Sequence, residues 1–255
     1  MKIAPYTAIR IAASEAVSLE LDVAADLGEV RLLPRFGDGT VLPLDGNAFD
    51  FPQFTTPNTV VVEWRASGSE DAAYTNRVEY VSRHYFGIDD LKGYGDGRDD
   101  FADLPDETLW AARQAATDVF EEASHRSFVG RLGKTKDYGR HGDLATDHRD
   151  VREVMTQGYA QIGDSRLKRE PGCGPFPKWV EYEYGAEEMP AEVSRAVLDL
   201  AAYTLRPSNR PIGATGESTD AGYIHFTTAG RDGATAIPEV NAAIEMFGAG
   251  GRMLW

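Results

Sequence analysis

The sequence predicts an α+β protein with a small antiparallel β domain at the N-terminus, a helical core that contains a β-insertion, and an extended C-terminal arm. Residues 17–23 alternate strictly between apolar and polar side chains, the pattern of a half-buried strand. Residues 105–124 and 190–205 instead repeat apolar side chains every three or four positions, as helices packed on a core do. Residues 206–237 are rich in Gly, Thr and Ser, which favours an extended segment.

The N-terminal β domain is assigned to residues 1–95. Further short strands are predicted at 29–33, 59–65 and 77–85, with Gly- and Pro-rich turns between them. Short strands joined by such turns are typical of a small sandwich or barrel. We assign residues 96–104 as a linker, because the stretch 93–103 is rich in Gly and Asp and has too few apolar side chains to form a core.

Residues 105–205 form the predicted helical core. Its second helix is apolar on nearly the whole circumference, and a helix of this kind is buried between neighbours. We expect those neighbours to be other copies of the same chain. The predicted subunit-interface residues are Leu109, Phe120, Val193, Val197, Leu200 and Leu205.

The two core helices are separated by a β-insertion at residues 126–185. Residues 179–184 (WVEYEY) alternate in the manner of a strand, and residues 150–154 and 161–167 are weaker strand candidates.

The C-terminal arm is assigned to residues 206–255, with a strand candidate at 222–228 and a short helix from residue 238. The stretch 206–237 contains no predicted helix, and a stretch of this length without a helix is unusual inside a compact domain. We therefore expect it to lie along a partner. The apolar C-terminus supports the same interpretation, although packing back on the same chain is an equal alternative. The predicted arm contacts are Tyr223, Ile224, Phe226, Arg231, Ile244, Phe247 and Trp255.

The charge is strongly acidic overall but uneven along the chain. There are 41 acidic and 26 basic side chains, a net charge of −15, which argues against non-specific nucleic-acid binding by the whole surface. Residues 126–178 form a basic island with 11 basic and 7 acidic side chains. The island is either a solvated face or a patch for a phosphate backbone or an acidic neighbouring subunit. Its candidate contact residues are Arg131, Lys134, Lys136, Arg140, Lys168 and Arg169.

The chain offers no recognisable catalytic, metal or cofactor motif. It contains no HExxH, GxSxG or paired CxxC sequence, and its single cysteine, Cys173, fits a reducing compartment. No apolar run reaches the roughly 20 residues that span a bilayer, and the N-terminus lacks the features of a signal peptide. Together with the apolar second helix and the extended arm, the missing motifs favour an assembly protein over an enzyme, and we expect no cofactor and no membrane contact.

Two stretches carry a resemblance to a known family. In 104–128 (LPDETLWAARQAATDVFEEASHRSF) the matching residues are Ala112, Ala116, Phe120, Glu121, Arg126, Ser127 and Phe128. In the second helix they are Pro190, Val193, Ala196, Val197, Leu200 and Ala201. With an insertion between them that closes on an aromatic strand, these stretches resemble the core of tailed-phage head-to-tail adaptor proteins, also called connector proteins. Residues 206–244 are similar to the arm of actinobacteriophage members, and the resemblance covers about residues 100–247.

The resemblance implies a structural protein of the virion neck, made in the host cytoplasm. It implies a homo-oligomeric ring, commonly twelvefold, docked beneath the portal protein and offering a platform to head-closure or tail-terminator proteins. Genomic DNA would pass through the channel without sequence-specific binding.

Two alternatives remain at this point. The N-terminal β domain is also compatible with a virion decoration or receptor-binding module, which requires a cluster of exposed aromatic side chains within residues 1–95. The many carboxylates also permit a hydrolase, which requires two of them roughly 5–10 Å apart in a cleft.

Overall fold

A computed structural model of the chain describes residues 1–95, 101–139, 142–206, 216–219, 222–225 and 233–248. The fold is mixed α+β, as the sequence predicts. The chain divides into two compact units, each built from two segments. Unit 1 comprises residues 1–84 and 127–188, and unit 2 comprises residues 85–126 and 189–255. The insertion therefore groups with the N-terminal β region, whereas the sequence analysis divided the chain linearly.

The first segment of unit 1 forms two sheets. Its strands are β1 (Lys2–Ile3), β2 (Ala8–Ala12), β3 (Ser18–Leu21), β4 (Glu29–Pro34), β5 (Thr40–Pro43), β6 (Ala48–Asp50), β7 (Asn58–Arg65) and β8 (Tyr74–Val81). The larger sheet has the order β2-β8-β7-β4-β5 and the smaller one the order β1-β3-β6. The pairs β1–β3 and β2–β8 run parallel, which corrects the expectation of a purely antiparallel domain.

The alternating strands build one core between these two sheets. On β3, Leu19 and Leu21 are buried, and on β7 the buried positions are Val60, Val62 and Trp64. All five belong to a single apolar cluster. Because side chains on a strand point alternately to its two faces, the intervening residues of β7 lie on the outer face of the larger sheet.

The insertion forms two small sheets. Its strands are β9 (Arg131–Asp137), β10 (Leu144–Ala145), β11 (Val151–Val154), β12 (Tyr159–Gly163), β13 (Arg166–Arg169) and β14 (Lys178–Tyr184). The orders are β11-β14-β9 and β10-β13-β12. The alternation at 179–184 is confirmed as part of β14. The single strand predicted at 161–167 is wrong: Asp164 and Ser165 form a turn, and the segment is a hairpin of β12 and β13.

Unit 2 is mainly helical. Its elements are α1 (Ile88–Lys92), α2 (Asp106–Ser124), α3 (Ala191–Leu205), β15 (Gly216–Thr219), β16 (Gly222–His225) and α4 (Pro238–Phe247). Both long predicted helices are confirmed, and each begins directly after a proline, Pro105 or Pro190, where the missing N–H costs no helical hydrogen bond. The strands β15 and β16 pair antiparallel.

The helices α2, α3 and α4 pack on one another. On α2 the buried apolar residues include Leu109, Ala112, Ala116 and Phe120, whereas Val119 is 43% exposed. The buried positions follow the 3.6-residue period, and Val119 falls outside their arc.

We expect Phe120→Ala to lower the free energy of unfolding by about 3–5 kcal/mol, because it removes a fully buried aromatic ring and leaves a cavity. The matched control is its neighbour, Val119→Ala, which should change the same quantity by less than about 0.5 kcal/mol. Chemical denaturation followed by circular dichroism measures both. Equal effects of the two substitutions would contradict the assigned orientation of α2.

Candidate interaction surface

The basic island does not form one continuous patch, because two of its arginines are held by carboxylates of unit 1. The Nε of Arg131 donates to Oε1 of Glu79 at 2.6 Å, and Arg10 donates from Nε to the other oxygen, Oε2, at 2.9 Å. Burial raises the pKa of Glu79, but the attraction of the two arginines and their hydrogen bonds outweigh burial and lower it overall. Glu79 is therefore a carboxylate shared between two cations.

A second carboxylate, Asp137, holds Arg169. Arg169 donates to both oxygens of Asp137, from Nη2 to Oδ1 at 2.7 Å, and the hydroxyl of Tyr159 donates to Oδ2 at 2.8 Å. These contacts tie the end of β9 to β12 and β13. The hydrogen bond from Arg169 lowers the pKa of Asp137 to about 2, against the opposing effect of burial. Burial and the bond to Asp137 raise the pKa of Tyr159.

Two lysines of β9 instead surround an exposed tryptophan. Trp179 on β14 is 50% exposed, and the Nζ atoms of Lys134 and Lys136 lie 5.0 Å and 5.7 Å from the centre of its ring. In the antiparallel register Lys136 pairs with Trp179 and Lys134 pairs with Glu181, so these side chains share one face of the sheet. Cation–π distances of this kind are stabilising and keep the two ammonium groups next to the ring.

That face borders a cleft of about 430 Å³ within unit 1. Its opposite side is the outer face of the larger sheet, which contributes Leu33, Val61 and Arg77. The rim also carries Arg35, whose guanidinium forms an ion pair with Glu181. Bonding to Glu181 raises the pKa of Arg35.

The cleft thus combines an apolar floor, an exposed tryptophan and several cations. This chemistry suits a partner that presents both carboxylates or phosphates and apolar groups, because aromatic and arginine side chains dominate the energetics of protein interfaces. Within the described ranges, no group of three or more His, Cys, Asp or Glu side chains is arranged to hold a metal ion. In the same ranges, no helix is long and apolar enough to cross a bilayer.

The remaining members of the island are placed as follows. Lys168 is exposed on β13. Arg140 lies outside the described residues.

The predicted subunit-interface residues lie mostly inside the subunit. Leu205 is half-buried, and the other five are buried by the chain itself: Leu109, Phe120, Val193, Val197 and Leu200. Their apolar surface therefore needs no second copy to cover it, because α2, α3 and α4 cover one another. Among these residues, only the half-buried Leu205 keeps part of its surface exposed, and the prediction of a subunit interface stays a prediction.

The predicted arm residues have different placements. Ile244 of α4 is buried and Phe247 is half-buried, and the carbonyl of Phe247 accepts a hydrogen bond from Nη1 of Arg126 at 3.2 Å. The last helix of the arm thus folds onto its own unit. Tyr223 and Ile224 lie on β16. The other three predicted contacts lie outside the described residues: Phe226, Arg231 and Trp255.

The sequence analysis missed the cleft residues contributed by the N-terminal segment. Arg35, Val61 and Arg77 come from a part of the chain about 100–145 positions away from Trp179, and no local pattern links them. One indication was present: the three consecutive valines in 60–62 cannot all face the core of a strand, so the middle one, Val61, had to point outward.

Comparisons with known proteins give little similarity. No family model and no curated protein matches the chain. Among solved structures, a chain of the virion of a native gene transfer agent particle is 16% identical with a TM-score of 0.38, over 50% of this chain and 82% of that one. A chain in the neck of an empty gene transfer agent particle, computed with C6 symmetry, is 16% identical with a TM-score of 0.37, over 51% and 83%. With TM-scores below 0.5, this similarity does not support the assignment of a fold family or a function to this chain.

We expect Asp137→Asn to lower the free energy of unfolding at pH 7 by about 3–5 kcal/mol, because Arg169 loses the charge that compensates it. Since the folded-state pKa of Asp137 is depressed to about 2, its stabilisation is present above the unfolded pKa of about 3.9 and is lost as the pH falls towards 2. The difference between wild type and variant should therefore shrink between pH 4 and pH 2.

Urea denaturation at several pH values measures this difference. Asp143→Asn, at an exposed position, is the control for the loss of one carboxylate and should change the free energy of unfolding at pH 7 by less than about 0.5 kcal/mol. A difference that stays constant down to pH 2 would contradict the role assigned to the pair.

Proposed function

We propose that this chain is a structural head-to-tail adaptor of a tailed bacteriophage. In this proposal it forms a ring, twelvefold as in the family it resembles, beneath the portal. The ring extends the DNA channel and links the capsid to the head-closure or tail-terminator proteins. It acts by assembly and not by catalysis.

The observation that carries the proposal is the pairing of α2 and α3. The two stretches that resemble the adaptor core, 104–128 and 190–201, fall on these helices, which pack on each other although more than sixty residues separate them. The residues between them fold as β-structure that closes on the aromatic strand β14. The order helix, β-insertion, aromatic strand, helix is the order of the family core.

Neither alternative gains support from the described residues. A decoration or receptor-binding module needs a cluster of exposed aromatic side chains in residues 1–95, all of which are described. The strongly exposed aromatic side chain in this range is Tyr6, which is 70% exposed. The centre of its ring lies 6.1 Å from the centre of the Tyr74 ring. A carboxylate hydrolase needs a pair of acids, whereas the lining of the described cleft contains one carboxylate, Glu181, already paired with Arg35.

The electrostatics agree with a protein that lines a DNA passage. A net charge of −15 repels DNA phosphates, so the chain would let a genome pass without holding it. In the basic island, Arg131 and Arg169 are neutralised by Glu79 and Asp137, which leaves few cations for phosphate contacts.

We expect deletion of the coding sequence from the phage genome to yield filled heads and free tails that do not join, because the ring connecting them is missing. Electron microscopy of the lysate measures the joined fraction. Complementation with the wild-type chain should restore tailed particles, and complementation with Asp143→Asn should do so equally well.

Gold-labelled antibody against the chain should mark the neck of complete particles. Tailed particles that assemble without the chain would overturn the proposal. Label on the capsid surface would favour the decoration function, and label at the tail tip would favour the receptor-binding function.

A further inference from the structure

Two cations of the cleft have no acidic partner among the residues that the structure describes. Glu181 is occupied by Arg35, and among the described residues no carboxylate pairs with Arg77 or Lys134. Both side chains are exposed. The protein as a whole has a large excess of acidic side chains. Two basic side chains without an acidic partner, next to an exposed tryptophan, therefore form a surface whose charge is opposite to that of the rest of the molecule.

The chemistry of this cleft favours a protein over a nucleic acid. The Nζ atoms of Lys134 and Lys136 lie 5.0 Å and 5.7 Å from the centre of the Trp179 ring, so these two cations compete with a base for stacking on it. The floor contributed by Leu33 and Val61 is apolar, and Val61 is 38% exposed, which a phosphate backbone would leave uncovered. An apolar floor with a tryptophan and arginine at its edge is the composition of a protein–protein contact.

Unit 2 of the same chain has the complementary chemistry. It carries 18 acidic and 9 basic residues, a net charge of −9 out of the total of −15. On α2 the outward positions Ala111, Ala115, Val119 and Glu122 follow one another at helical spacing, and all four are exposed. Val119, 43% exposed, offers an apolar contact, and Glu122 offers a carboxylate one turn further along the same face.

We propose that the cleft of one subunit binds the outward face of α2 of a second copy of this chain, with Val119 against the apolar floor and Glu122 against Arg77 and Lys134. Such a contact joins two different surfaces, so it is heterologous and generates a closed ring when the rotation between subunits closes. The inference rests on the proposed function and deepens it, because it names the contact between neighbouring subunits of the ring.

The proposed contact joins surfaces of opposite charge. Each subunit contributes a basic cleft on unit 1 and an acidic helix on unit 2, so every subunit has one surface for each neighbour. Because the attracting charges lie at exposed positions, salt should weaken the contact. Free subunits then associate weakly, and association is strengthened only when many contacts form at once.

The test is analytical ultracentrifugation of the purified full chain over a range of protein and salt concentrations. The wild type should self-associate reversibly, and more weakly as the salt concentration rises. Lys134→Glu and Glu122→Lys should each weaken association at least tenfold, since each places like charges opposite one another. The double variant with both substitutions should recover part of the lost affinity, because positions 122 and 134 again carry opposite charges while Arg77 is unchanged.

The matched controls use charges away from the cleft and from α2. Arg166→Glu on β13 and Glu239→Lys on α4 reverse exposed charges of the same signs and should leave association within about twofold of wild type. Circular dichroism checks that every variant is folded, and exposed substitutions of this kind seldom destabilise by more than about 0.5 kcal/mol.

Three outcomes would overturn the inference: a wild type that stays monomeric at the highest protein concentration, single variants that associate as the wild type does, or a folded double variant without recovery. The same variants are titrated with a duplex and a single-stranded oligonucleotide. A loss of oligonucleotide binding in Lys134→Glu, with self-association unchanged, would assign the cleft to nucleic acid and overturn the inference. Each of these results leaves the neck localisation intact, so failure of the inference is distinguishable from failure of the proposed function.

Discussion

The architecture of unit 1 depends on one carboxylate, Glu79. It lies on β8 in the larger sheet, and its two oxygens accept hydrogen bonds from Arg10 of β2 and from Arg131 of β9. Glu79 thus bonds the N-terminal segment to a strand of the insertion, which begins nearly fifty residues later. Beside it, the backbone N–H of Gly130 donates to Oγ of Ser82 at 2.7 Å and the N–H of Ser82 donates to the carbonyl of Gly130 at 3.0 Å.

These contacts explain why the insertion is not an independent module. A buried carboxylate is costly unless it is paired, and here two guanidinium groups outweigh the penalty of burial, as the lowered pKa of Glu79 indicates. With β9 held at this end, the exposed face of β9 and β14 borders the outer face of the larger sheet. The cleft between the two faces is a direct consequence, and Arg35 with Glu181 forms a second link across it.

Local structure was predictable wherever a period was strong. The helices α2 and α3 and the strands β3, β7 and β14 follow from apolar spacing alone, because each buries one face or one stripe. The hairpin of β12 and β13 was missed because its two halves read as one apolar-polar run, with only the polar turn at Asp164 and Ser165 to separate them. The parallel pairing of β2 with β8 was missed because the two strands lie more than sixty residues apart and no local sequence pattern indicates which strand pairs with which.

The candidate site was predictable only in part, and for a physical reason. The basic island was visible from composition, but composition does not show which cations are neutralised: Arg131 and Arg169 are, whereas Lys134 is not. An apolar stripe on a helix likewise indicates that the stripe is buried, but it does not identify the element that packs against it. In this chain α4 supplies much of the cover for α2 and α3, so side chains such as Leu200 serve the core of the subunit and not its surface.

Because α2, α3 and α4 bury one another's apolar stripes, the proposed ring would have to assemble through other surfaces. A subunit whose apolar stripes are already buried needs no neighbours to cover them, so in the proposed ring the free energy of assembly would come from outward-facing groups. Exposed charges contribute modestly one at a time and are screened by salt, since a surface ion pair is worth about 0–1 kcal/mol. A ring closed by many such weak contacts is stable only as a whole, because each contact within a closed ring forms at a high effective concentration. In the proposed function, subunits have to remain dispersed until a docking platform is present, and weak charged contacts repeated around a ring would allow this, whereas a large apolar interface would not.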